Sequence, residues 1–96
     1  ELMVKVVAKG YFYEDKTEEA IKIYEELVEK TRLEDGCISY NLFRDKNDCS
    51  ILTMIEEWKS QDALDKHMKT EHFTRLVPQL GKLRKSSELN TYELVL

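Results

Sequence analysis

The sequence has little in it that punctuates a chain or ties it together. Among 96 residues there are two cysteines, three glycines, one proline and one tryptophan. No low-complexity tract interrupts them, so the whole chain, residues 1–96, is expected to fold as one domain. That length leaves no room for two cores. No apolar run approaches the roughly 20 residues that span a bilayer, which excludes a membrane-crossing helix. An excess of positive charge is also missing. The formal net charge is -4, the isoelectric point is near 5.2, and basic residues are mixed among acids. This argues against a nucleic-acid footprint or an anionic membrane patch. From Glu1 onward no charged-then-apolar leader is visible, so no signal peptide is read. The missing initiator Met leaves the true start open.

Two cysteines could still cross-link a small secreted chain. Here Cys37 and Cys49 fall near opposite ends of a predicted hairpin. They are about seven residues out of register, or roughly 20 Å apart. A disulfide needs Cα atoms within ~7 Å. Two free thiols in a reducing cytoplasm are expected. Neither has a histidine beside it in sequence, so a thiol nucleophile is disfavoured. There is no GxSxG, and three scattered glycines cannot form a phosphate cradle.

What is present is strong periodicity. Leu2–Phe12 reads as a strand, with Val4, Val6 and Ala8 on one face and Met3, Val7 and Tyr11 on the other. Thr17 is placed to cap a helix that runs to about Leu33. Ala20, Tyr24, Leu27, Val28 and Thr31 form its apolar stripe, and Glu18 and Glu19 suit its first turn. "CISYNLFRD" and "CSILTMIEEW" read as two strands joined by "DKND". "SQDALDKHM" is a short helix capped by Ser60. "TEHFTRLVPQLGKL" is a second helix with Pro78 inside it, where a kink or early break is expected. "ELNTYELVL" closes as a strand.

This order, β-α-β-β-(αα)-β, is the ferredoxin-like split βαβ pattern of an α+β domain: an antiparallel sheet with helices on one face. Such a sheet normally shows water a polar face. Here Leu52, Met54 and Trp58 alternate with Ile51, Thr53 and Ile55, and Tyr40 and Leu42 alternate with Phe43. Both faces are apolar, and no helix is left for the second. A homodimer packed sheet to sheet is the simplest cover.

The stretch "EEWKSQDALDKHMKTEHF" holds the one tryptophan, Trp58, and both histidines, His67 and His72. Taken singly, each is an ordinary core or surface residue. Together, at the end of a strand and on two short helices folding back over it, they read as the lining of a pocket. Metal binding fits less well. Five steps along one helix rotate ~140°, which points the histidines apart unless the chain breaks near Lys69–Thr70.

"IEEWKSQDALDKHMKTEHF", with "EDGCISYNLFRD" before the hairpin, resembles the antibiotic biosynthesis monooxygenase family, nearest to its small quinol-monooxygenase branch. Glu56, Trp58, Ser60, His67 and His72 match the family pattern, as do Glu34, Gly36, Cys37 and Tyr40. The resemblance implies a dimeric α/β barrel with a hydrophobic cavity between sheet and helices. It also implies oxidation of a small phenolic or quinol substrate by O₂, with no metal, flavin or other cofactor. The catalytic candidates are His67 as base or anion-stabilising donor, His72 as a second polar contact, and Trp58 as stacking wall and indole donor. Glu56, Met54, Leu64, Met68 and Tyr40 are the candidate substrate contacts. Met54 and Leu64 stand where actinorhodin-type members carry Asn and Tyr. Haem-degrading relatives carry an Asn in the first strand and an iron-ligating His where Val77 stands. Both specialisations are disfavoured. Two other readings remain: an isomerase of a phosphorylated quorum signal, needing cations such as Lys5, Lys9 or Arg44 in the cavity, and a non-catalytic binding dimer.

Overall fold

The computed structural model describes residues 2–96. The elements are β1 (Val4–Phe12), a 3-10 turn (Glu14–Lys16), α1 (Thr17–Thr31), β2 (Cys37–Arg44), β3 (Ile51–Trp58), α2 (Gln61–His67), α3 (Glu71–Gly81) and β4 (Arg84–Glu93). The four strands form one antiparallel sheet in the order β2-β3-β1-β4. This is the ferredoxin-like α+β fold that the pattern predicts, helices on one face. Among the described residues no helix is long and apolar enough to cross a membrane.

Register explains the two-sided strands. Val4 pairs with Trp58, Val6 with Glu56 and Ala8 with Met54 across β1 and β3, while Tyr40 and Leu42 of β2 pair with Glu56 and Met54. Directly paired residues share a face. Those side chains therefore meet α1 and α3, where Ala20, Tyr24, Leu27, Leu76 and Leu80 are buried. Phe12 packs edge to face on Tyr24, with ring centroids 6.2 Å apart, a geometry worth about 1 kcal/mol beyond the area it buries. On the opposite face Val7, Ile51 and Ile55 are half-buried and Phe43 is exposed.

Several boundaries differ from expectation, each for a local reason. Thr17 is not the cap of α1. The 3-10 turn delivers the chain already wound, so Lys16 takes the cap position and Thr17 is the first helical residue. Its hydroxyl turns back to donate to the Tyr13 carbonyl at 3.1 Å. The helix ends at Thr31, two residues before Leu33, which is exposed. Pro78 does not break α3, which continues to Gly81. Pro78 and Thr74, whose carbonyl loses its partner, are both exposed, so water can replace the missing donor. Cys49 lies in the β2–β3 turn rather than in a strand. There Asp45 and Asp48 accept backbone N–H groups. β4 starts at Arg84, four residues before the predicted Glu88, and stops at Glu93. Both cysteines are free, as their spacing requires.

Candidate functional site

Two capped helix starts bring the histidines together. The Ser60 hydroxyl accepts from the Ala63 N–H at 3.1 Å, starting α2 at the end of β3. The Thr70 hydroxyl accepts from the Phe73 N–H at 3.3 Å, starting α3, and donates to the His67 carbonyl at 2.7 Å. Thr70 therefore hinges α3 onto the end of α2. That break, not a continuous helix, sets the relation of His67 to His72. Instead of pointing apart, both rings turn to one carboxylate. His67 Nδ1 lies 2.8 Å and His72 Nε2 2.6 Å from the same oxygen, Oε2 of Glu34.

Glu34 reaches them through a tight loop. Gly36 has a φ of +89°, and the Lys59 N–H donates to its carbonyl at 2.9 Å, pinning the loop to the end of β3. A Cβ at Gly36 would lie 2.6 Å from the Cβ of Ala63 on α2. Gly36→Ala is expected to cost at least about 1–2 kcal/mol for the left-handed backbone alone, with the clash adding to it. A lowered urea midpoint at unchanged slope is the expected reading; an unmoved midpoint would show that the loop does not pack here.

His67 is 1% exposed. Burial holds its pKa below the ordinary imidazole range, against the raising influence of Glu34, so the ring is neutral at neutral pH. With a carboxylate facing Nδ1, that nitrogen carries the proton and donates. Nε2 is then a lone pair in a packed shell, and among the described residues it has no hydrogen-bond partner. The shell is aromatic: Trp58 at 4.6 Å between centroids, Phe73 at 5.0 Å and Tyr40 at 5.4 Å.

Among the described residues, Glu34, His67 and His72 are the set able to hold a metal, with ligand atoms within 4.8 Å of one another. Ligands around a zinc ion at ~2.1 Å would stand roughly 3.4 Å apart. The observed 2.6 and 2.8 Å separations are hydrogen-bond lengths, so the set would have to open to admit an ion.

A cavity of about 220 Å³ lies between the sheet and α1 and α3. Tyr40, Met54 and Glu56 line it, together with Tyr24, Phe73 and Leu80. His67, His72, Trp58, Leu64 and Met68 do not. Trp58 is fully buried, so it presents no stacking face, and its indole N–H is spent on Glu56 Oε1 at 2.9 Å. Leu64 is buried in the core, and Met68, the residue that ends α2, is 41% exposed. The histidines thus stand behind the cavity wall, separated from it by Tyr40 and Phe73, which touch both. A larger, more open groove of about 590 Å³ along Met3, Ser60 and Tyr92 contains neither histidine nor Glu56.

Glu56 is the carboxyl that links the cavity to the buried cluster, lining the one and accepting from Trp58 of the other. It is 5% exposed. Burial pushes its carboxyl up to about 7, the Trp58 N–H pulls it down, and the charge of Glu34 adds to the rise. Tyr24 is pushed up to about 12 by burial, with Arg84 pulling the other way. Burial also raises Cys37 to about 11, which disqualifies it as a thiolate nucleophile at neutral pH. The sequence places Glu34 in the family pattern with Gly36, Cys37 and Tyr40 but assigns it no role. Nothing in the sequence singles out Arg84, because an arginine at a polar strand start carries no local signal.

Known proteins share this sequence pattern and fold. The model of the Antibiotic biosynthesis monooxygenase family matches residues 3–79. A Bacillus subtilis protein called "Putative monooxygenase YcnE" is 33% identical over 76 residues, 79% of either chain. An uncharacterised Synechocystis protein is 35% identical over 81 residues, 83% of this chain; the aligned part spans 55% of that relative's length. A crystal structure of an antibiotic biosynthesis monooxygenase superposes with a TM-score of 0.92 at 38% identity, covering 97% of this chain and 99% of the other. A conserved protein of Methanosarcina mazei superposes equally well, TM-score 0.92, at 37% identity over 95% of this chain and 91% of its own. The chain belongs to the antibiotic biosynthesis monooxygenase family.

Proposed function

We propose that this protein is a monooxygenase that oxidises a small phenol or quinol with O₂ in the cavity between sheet and helices, using no metal or flavin. The observation that carries this reading is Glu56: a buried carboxyl on the wall of an apolar, aromatic cavity, with a pKa of about 7. A base poised near neutrality suits removal of a phenolic proton, and the mainly apolar wall shields the phenolate from water. The resulting electron-rich anion reduces O₂ directly. In the balanced reaction, phenol plus O₂ gives quinone plus water. One oxygen atom joins a hydrogen-bearing ring carbon ortho or para to the hydroxyl, and the other leaves with the two hydrogens lost from that carbon and the hydroxyl; a quinol oxidised at such a carbon gives a hydroxyquinone plus water. No outside reductant is needed. The cavity is smaller than the roughly 300–1,000 Å³ sites that take drug-sized ligands, which fits one or two fused rings. In this scheme Glu56 contacts substrate, while Trp58, His67, Glu34 and His72 position it from behind.

The reading includes a cytoplasmic homodimer. Two unpaired thiols suit a reducing compartment. Among the described residues no helix covers the far face of the sheet, with Val7, Ile51, Ile55 and Phe43, and a second copy supplies a matching apolar face. O₂ uptake by metal-free protein with a panel of naphthols and reduced naphthoquinones tests the chemistry. Enzyme-dependent uptake with at least one compound is expected; rates equal to the blank across the panel would remove the reading. Light scattering on the same sample should give twice the 11.4 kDa chain mass, and a monomer at micromolar concentration would remove the dimer.

The isomerase reading draws on Lys9 and Arg84, two cations on the cavity wall. Its other two candidates are engaged elsewhere: Lys5 lies 4.0 Å from Glu57, and Arg44 3.0 Å from Glu18. A predominantly apolar wall favours the phenol.

A further inference from the structure

Among the described residues, the cavity wall carries one cation, Arg84, with neither a carboxylate within 4.0 Å nor an aromatic ring beneath it, although Glu56 and Glu88 line the same cavity. Of the four arginines, Arg32 donates to the Tyr40 carbonyl and the Asn41 side chain, Arg44 to Glu18, and Arg75 to Glu26 and Glu71. Arg84 is different. It opens β4 half-buried and lines the cavity. Among the described residues no carboxylate lies within 4.0 Å of it. The other lining cation, Lys9, has no carboxylate within 4.0 Å among the described residues either, but Tyr11 engages it: its Nζ lies 5.2 Å from the centre of that ring, and the charge of Glu88, opposite it in the strand register, attracts it from farther off. The charge of Arg84 is felt inside the core at the Tyr24 phenol, which also lines the cavity.

A half-buried guanidinium loses hydration, and that loss is recovered when an anion docks on it. Its planar fork fits a carboxylate through two parallel hydrogen bonds. A single unanswered positive charge matches a monoanion better than a phosphate dianion. We propose that Arg84 binds a carboxylate on the substrate, so the cavity selects an aromatic phenol bearing an acid group over the neutral phenol. This deepens the preceding section and rests on its reading of the cavity as the substrate site. Arg84 acts here as a specificity residue, distant in sequence from Trp58 and the histidines. It holds the acid while the hydroxyl end is left for Glu56.

The test is anaerobic calorimetry at pH 7.5, where binding is read without turnover, using 2-naphthol and 6-hydroxy-2-naphthoate. Wild-type protein is expected to bind the acid at least tenfold more tightly than the neutral ring. Arg84→Gln should erase that preference while keeping the affinity for 2-naphthol, which also shows that the variant is folded. Arg84→Lys should retain part of the preference, and Lys9→Gln nearly all of it. Equal affinities in the wild type, or a preference that survives in Arg84→Gln, overturn the proposal. If neither compound binds, the cavity reading fails with it. If the acid is preferred but no tested phenol consumes O₂, the anion site stands and the oxygenase reading alone falls.

Discussion

Glu56→Gln is expected to make the protein less sensitive to alkaline pH and to abolish most oxidation. In the native state the carboxyl titrates at about 7, against an ordinary value of 4.5. Because folding raises this pKa, the native state favours the protonated form. That contribution is whole below about pH 4.5, fades as pH rises, and is gone above about pH 7. At 1.36 kcal/mol per unit, the gap is worth roughly 3 kcal/mol. The amide cannot ionise, and its oxygen can still accept from Trp58. The stability of Glu56→Gln relative to wild type should therefore rise by up to roughly 3 kcal/mol between pH 4.5 and pH 8.5. Urea titrations at the two pH values measure it, and a difference that does not change with pH would refute the buried-carboxyl account. Oxidation should fall by about 10²–10⁴, the usual worth of a general base. Trp58→Phe is a companion variant. It removes the N–H that holds Glu56 down, so the pH at half-maximal rate should move upward.

The second large effect is His67→Ala. The ring is buried against Trp58, Tyr40 and Phe73 and donates to Glu34. Deleting such a group leaves a void and should cost about 2–5 kcal/mol. His72, 13% exposed and bonded to the same oxygen, should cost only about 1 kcal/mol when replaced by Ala. The pH profile separates a positioning role from a catalytic one. If His67 acts from behind the wall, the variant turns over more slowly but keeps an ionisation near pH 7, which disappears in Glu56→Gln. Loss of that ionisation in His67→Ala, with Glu56 intact, would reassign the base to the imidazole. Thermal melts beside the rate measurements show whether the folded fraction has been held constant.

Legibility along the chain follows how local each signal is. β1 and β3 were readable because one face of each is buried and the alternation survives: Val4, Val6 and Phe12, then Leu52, Met54 and Trp58. β4 was misplaced because it is an edge strand with nearly every residue exposed, and such a strand has no burial pattern to print. Thr17 misled for a related reason. Its residue type suits a cap, but whether it caps depends on the turn before it. The Trp58-to-His72 block was correctly singled out as a cluster, since Ser60 and Thr70 announce two helix starts. Which of its side chains line the cavity was not legible. Trp58 and His67 are drawn inward to fill the core, and Tyr40 and Phe73 take the wall in their place.

By itself, the sequence determined the order of elements, the face that the residues of β1 and β3 occupy and the family pattern, because all three are carried by spacing between near neighbours. Only the tertiary structure decided that Glu34 would gather two histidines 33 and 38 positions away, that Glu56 would be buried on the cavity wall while the histidines stand behind it, and that Arg84 would stand there with no carboxylate within 4.0 Å among the described residues. Such meetings depend on strand register and on one left-handed glycine turn, which settle together when the whole core closes. No short window of sequence records that closure.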